Sequence, residues 1–291
     1  MPIEQHPSFR RPPISTRLWR YTDLAKFVDL LTSQKLWLTN AEILASEDPY
    51  EGLPDSVQFP HRILACTEDL PKEFWAQIVR TYDPDNVKTP QATFHEWIML
   101  QEQLCIMRQF GRRQYYVNCW HAADHESVAM WKIYGSPGAG VAIVTNGARL
   151  EEALSQSSES LYLGAVGYQD PDMFTIGATN AFDKLMLKRV NYSYEREVRL
   201  IHWDTRDSHD PLSNFLWNEE KMRFDDIVED NRPLTSGLLL GIDVDVLIER
   251  VIVSPIAPQW YLPMIERLKE QLNFKFPVIK SKILNPPEIV P

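Results

Sequence analysis

The residues whose types and spacing are best suited to chemistry are Tyr194-Glu195-Arg196-Glu197-Val198-Arg199. The surrounding pattern predicts a strand over about 192–203. Alternate residues of a strand share a face, so Glu195, Glu197 and Arg199 are expected on one side, with Tyr194, Arg196, Val198 and Leu200 on the other. Two carboxylates ~7 Å apart on one face repel unless cations or hydrogen bonds answer them. Such a ladder is either an ion-pair network, with Arg199 or Arg20 as partner, or a site that handles a polar ligand. Arg20 lies between Trp19 and Tyr21. A guanidinium between rings stacks well and pairs bidentately with carboxylate or phosphate, and the plainer reading is a surface arginine on an edge strand.

Other clusters carry weaker chemistry. Trp131 and Tyr134, three apart on a short helix, share a face, as core packing or as a stacking surface for a flat ring. Gly135, Gly138 and Gly140 leave room for close backbone approach. They form no GxGxxG, and no GKS/T is present, so neither nucleotide fingerprint applies. Cys119, His121, Asp124 and His125 fall at no established zinc spacing, and the favoured reading is a polar loop after a strand. Nothing marks Cys119 as a stabilised thiolate for a Cys/His hydrolase. Glu47, Asp48 and Glu51 around Pro49 read as a capped turn before a cation site. Arg108, Arg112 and Arg113 read as a solvated helix face.

These residues must be positioned by elements that the pattern places as follows. Residues 1–15, with four prolines, form an extended arm, and residues 16–291 form a single α+β domain. Strands are expected at 17–21, 35–40, 115–120, 141–145, 161–168, 192–203, 237–242, 250–254 and 276–281. Thr22 is expected to cap a helix through Leu31, and Ser127 one bearing Met130, Trp131 and Tyr134. A helical insertion spans about 69–112, its second helix opened by Pro90. Further helices are expected near 147–155, 172–190 and 259–272. Strands and helices mix without a βαβ rhythm, which predicts a mixed, mostly antiparallel sheet with packed helices.

Composition narrows the function classes. Lys+Arg 30 against Asp+Glu 40 gives a net charge of −10, unsuited to general phosphate-backbone binding. Three cysteines without CxxC spacing give no disulfide framework and fit a reducing cytoplasm. The polar, proline-bearing first residues contain no signal-like apolar core, and no stretch approaches the ~20 apolar residues of a membrane helix. The expectation is a cytoplasmic protein without membrane partners.

Taken in order, Trp19-Arg20-Tyr21, Leu36 to Thr39, Glu47-Asp48-Pro49-Tyr50-Glu51, Cys119-Trp120, Met130-Trp131-Lys132-Ile133-Tyr134, Gly140 to Ile143 and Tyr194 to Arg199 form a recognisable set. It resembles a large bacterial intracellular family of unknown function, some of whose members lie near phage-defence genes. Glu47 departs from that family's usual asparagine. The family is in turn similar to ADP-ribosyltransferases. That resemblance implies NAD as co-substrate and a toxin or phage-defence effector that is an ADP-ribosyltransferase or NAD glycohydrolase. It also implies a protein or nucleic-acid acceptor for any modification. Carried over, Glu197 is the catalytic carboxylate, Glu195 orients an acceptor, Arg20 and Tyr21 hold the nucleotide with Arg199, and Trp131 or Tyr134 stacks the nicotinamide. The alternatives are a non-catalytic ligand- or protein-binding module, and a metal-dependent nuclease built on Glu47, Asp48 and the paired glutamates.

Overall fold

The computed structural model describes residues 3–46, 48, 51–52, 67–136, 138–169, 182–206, 211–226 and 233–286. In chain order the strands are β1 Ile3–Glu4, β2 Arg17–Asp23, β3 Lys35–Asn40, β4 Tyr115–Ala122, β5 Gly140–Asn146, β6 Leu161–Ala165, β7 Gly167–Gln169, β8 Leu187–Arg189, β9 Glu197–Trp203, β10 Phe215–Asn218, β11 Arg223–Asp226, β12 Gly237–Gly241, β13 Arg250–Val253 and β14 Val278–Lys280. The helices are α1 Leu24–Ser33, α2 Ala41–Leu44, α3 Lys72–Tyr82, α4 Pro90–Phe110, α5 Val128–Tyr134, α6 Gly147–Ala153, α7 Val244–Leu247 and α8 Tyr261–Gln271. The class is α+β. Ten strands form a mixed, mostly antiparallel sheet ordered β1-β6-β9-β4-β2-β5-β13-β14, with β12 and β3 attached through β4. None of the helices is long and apolar enough to cross a membrane, among the described residues.

The sheet forks at β4. Its far edge carries β9 over seven residue pairs, from Tyr115↔Trp203 to His121↔Glu197. Its near edge is shared: β3 takes Val117 and Tyr116, while β2 takes only Ala122 and His121. Asn118, Cys119 and Trp120 lie between the two arms. Side chains pin each arm. Asn118 donates to the Trp37 carbonyl at 2.8 Å, Asn40 donates to the Arg113 carbonyl at 2.8 Å, and Trp19 donates to the Ala123 carbonyl at 2.7 Å.

Alternation sets what each face buries. Leu18, Tyr116, Trp120, Val198 and Leu200 join the main core with α1 residues Phe27, Leu30 and Leu31. Trp19 and Tyr21 point the other way and pack with Met130, Trp131, Ala142 and Val144. The insertion has its own core of Leu70, Ile78, Phe94, Trp97 and Ile98. The arm is not free: Ile3–Glu4 pairs in parallel with β6, and Ile3 and Phe9 are buried.

Some expectations hold to the residue. β3 spans Lys35–Asn40, α4 opens on Pro90, and the Ser127 hydroxyl caps α5 by accepting from Met130 N at 3.3 Å. Others need correction. Asp23, not Thr22, caps α1, because its carboxylate accepts from Lys26 N at 2.8 Å. Of the helix expected at 172–190, residues 172–181 lie outside the described ones. Residues 187–189 are a strand, since pairing with β7 overrides local helical preference. The strand expected at 192–203 begins only at Glu197. Residues 190–195 form a 3-10 turn, and Arg196 takes left-handed φ 41°. That residue turns the chain before the ladder starts, and no alternation pattern reveals it.

Candidate functional site

The turn at Arg196 brings Glu195 and Glu197 together from two different elements, and the cation between them is Lys188. Its ammonium lies 2.6 Å from Glu195, 3.5 Å from Glu197 and 3.8 Å from Glu51. Lys188 comes from β8, which the parallel ladder with β7 holds in place. The Tyr192 ring covers it at 4.7 Å. Beneath it lies Arg199, which is 1% exposed. Its Nε and Nη2 donate to Glu197 at 2.8 and 3.0 Å, and its Nη1 and Nη2 donate to Glu51 at 2.5 and 2.9 Å. The fifth N–H goes to the Leu185 carbonyl at 2.5 Å. A guanidinium has five donors, so Arg199 is saturated by protein.

Three carboxylates thus face two cations in a buried cluster. Burial alone would raise the Glu197 pKa, but Arg199 and Lys188 outweigh it and hold the group at about 2. Glu197 is ionised at neutral pH. Burial works against the charge of Lys188 too, yet Glu197 and Glu51 raise its pKa above the ordinary value. Cys119, across the ladder from Arg199, is pushed well above the usual thiol range by burial and by Glu197. His121 is lowered, chiefly by burial, and its Nδ1 lies 2.5 Å from the Glu195 carbonyl. Tyr134 donates its hydroxyl to Glu195 at 2.6 Å, and burial with that carboxylate raises its pKa, keeping the donor protonated.

Arg20, Tyr21, Tyr134, Glu195, Glu197 and Arg199 all border one cavity of about 240 Å³ at the fork. Arg20 and Glu197 are not each other's counter-charge. Glu197 pairs with Arg199 and Lys188, whereas the Arg20 Nη1 is buried without a hydrogen-bond partner. Trp19 pairs across β4 with His121, and His121 with Glu197, so those three share a face and Arg20 points to the opposite one. It reaches the cavity because β2 leaves β4 at that residue, and its guanidinium stands 5.9 Å over the Trp120 ring. Burial lowers its pKa.

Trp131 does not border the cavity. It is buried edge-on to Tyr21 at 4.9 Å, so its role is to support that ring, whose hydroxyl accepts from Ser127 N at 2.9 Å. Arg112 is buried and donates to the Glu51 carbonyl at 3.2 Å, and Arg113 pairs with Glu42 at 2.7 Å, so these two are not a solvated face. The glycines at 135 and 140 close their own turn: a Cβ on Gly140 would stand 1.5 Å from the Gly135 carbonyl oxygen. Glu47, Pro49 and Tyr50 lie outside the described residues. No set of three His, Cys, Asp or Glu side chains is placed to hold a metal ion, among the described residues. Reasoning from sequence missed Lys188 and the partnership of Glu51 with Arg199. The one available signal was that buried paired glutamates need more cations than a single arginine. No family model, curated protein or solved structure matches the chain.

Proposed function

We propose that the fork cavity binds a nucleotide with NAD as first candidate, and that the chain is an NAD-consuming ADP-ribosyltransferase or NAD glycohydrolase. The observation that carries this reading is one cavity bordered by both an ionised, rigidly held carboxylate and an arginine without a counter-charge. Arg20 would pair with the pyrophosphate. Tyr134, 40% exposed at the cavity, would stack the nicotinamide ring. As the nicotinamide–ribose bond breaks, the ring leaves with the electron pair and positive charge develops on the ribose. Glu197 stabilises that charge, and Arg199 and Lys188 fix its carboxylate beforehand. Glu195 orients the water or the protein or nucleic-acid acceptor that attacks. Arg199, its donors filled, positions Glu197 and does not touch the nucleotide. A cytoplasmic toxin or phage-defence effector is the setting such chemistry suits.

A second reading rests on the same network. Because Glu197 and Arg199 satisfy each other and Glu51, they equally suit the rigid wall of a non-catalytic binding module. Incubation with NAD, with and without cell extract, separates the two. The enzyme reading expects nicotinamide release by the wild type and a fall of ~10²-fold or more in Glu197→Gln. Absence of release by the wild type under both conditions refutes it and leaves the binding module.

A further inference from the structure

Three buried polar atoms on the core-facing side of the fork have no hydrogen-bond partner: Arg20 Nη1, Trp120 Nε1 and Asn118 Oδ1. Trp120 and Asn118 are each only 1% exposed. They alternate on β4 in the stretch that neither β2 nor β3 pairs. The Asn118 amide is oriented by its donation to the Trp37 carbonyl, which leaves its oxygen as the orphan. Buried polar groups are nearly always paired, so two orphans in one unpaired stretch of β4, with a third on Arg20 of β2 over the Trp120 ring, mark a place where something polar belongs. Arg20 and Trp120 both border the cavity, whereas Asn118 does not.

Of these three, the two on residues that border the cavity are both donors, and one carries a charge with no carboxylate beside it. Four carboxylates border the cavity, Asp48, Glu51, Glu195 and Glu197, and they are already engaged with Arg189, Lys188 and Arg199. Glu197 lies on the other face of the sheet from Arg20. The fork therefore has a cationic pole at Arg20 and Trp120 and an anionic pole at Glu195 and Glu197.

We infer that Arg20 and the Trp120 indole N–H form an anion subsite behind the sheet, and that a ligand lies through the fork with its anionic group in that subsite. Trp120 is then a specificity-determining residue, since its N–H accepts nothing and rewards only a group with a free acceptor. The chemistry recognised is an anionic oxygen, phosphoryl or carboxylate. Within the nucleotide reading, on which this orientation rests, it is the pyrophosphate, and the ribose lies toward the carboxylates.

Titration followed by the indole N–H resonances of ¹⁵N-labelled protein tests the subsite without turnover. Trp120→Phe identifies the Trp120 resonance by its loss. If that variant does not fold, selective unlabelling with assignment through neighbouring residues serves instead. Pyrophosphate is expected to shift the resonance saturably, with malonate as the carboxylate arm. Arg20→Gln should weaken the response about tenfold or more, and Arg20→Lys, which keeps the charge, should weaken it less. No saturable shift with either anion overturns the subsite, whatever the NAD assay gives. A shift with malonate alone keeps the subsite and assigns it to carboxylates. A saturable shift in a protein that releases no nicotinamide keeps the subsite and counts against the enzyme reading.

Discussion

Replacing Glu197 with glutamine separates the electrostatic role of this carboxylate from its shape. The group lies in a site that is 5% exposed, and its pKa falls from an ordinary 4.5 to about 2. At ~1.36 kcal/mol for each pH unit, its ionised form contributes about 3 kcal/mol to folding at neutral pH. The upper end of the usual cost of breaking a buried pair, ~5 kcal/mol, is not expected. With Glu197 neutral, Glu51 and Glu195 still balance Lys188 and Arg199, and glutamine keeps one oxygen for Arg199. A loss of about 3 kcal/mol in a chain of this size lowers Tm by about 6 °C. The sign of the pH dependence follows from the depressed pKa. The stabilisation is full above the ordinary value and is lost as pH falls through about 2. The gap between wild type and variant should hold from pH 7 to 5.5 and shrink to about 2 kcal/mol by pH 3.5. Thermal unfolding followed by circular dichroism at four pH values measures it. A gap that is absent at pH 7, or unchanged at pH 3.5, would refute the assignment of Glu197 as a charged partner of Arg199.

Arg199→Met removes all five donors and leaves Glu51 and Glu197 buried with Lys188 alone. It should cost more than Glu197→Gln, ~3–5 kcal/mol or beyond, in urea unfolding; a smaller loss would contradict the network. Tyr134→Phe deletes the hydroxyl donated to Glu195. On a part-exposed side chain it should cost about 1 kcal/mol, read from the same unfolding curves. Cys119, its thiol pushed up by burial and by Glu197, should resist iodoacetamide at pH 8 in the folded protein and react once unfolded. Peptide mass spectrometry gives its modified fraction.

The parts of the fold legible in sequence are those that local chemistry decides. The alternation of KLWLTN places β3, the first-turn proline places the start of α4, and Ser127 places α5. What was not legible depends on distant pairing. Nothing in residues 187–189 indicates a strand until β7 lies beside them, so Lys188, the cation that joins three carboxylates, stayed hidden in an expected helix. Glu51 looks like a turn residue until Arg199 is seen against it. The left-handed Arg196 leaves the pattern of YEREVR intact while changing its geometry. The pattern offers Arg199 or Arg20 as the cation that answers the glutamates, and of these two only Arg199 does. The sheet's alternation sends Arg20 to the other face, where it meets Trp120 instead.

In the proposed reading the fork cavity takes NAD between the Arg20 pole and the Glu195–Glu197 pole. Titration calorimetry with a carbocyclic NAD analogue, whose nicotinamide bond resists cleavage, addresses binding without chemistry. The expected result is one site per chain in the wild type, an affinity about tenfold or more weaker in Arg20→Gln, and binding retained in Glu197→Gln. Absence of heat with the wild type, or an affinity indifferent to Arg20, would contradict it.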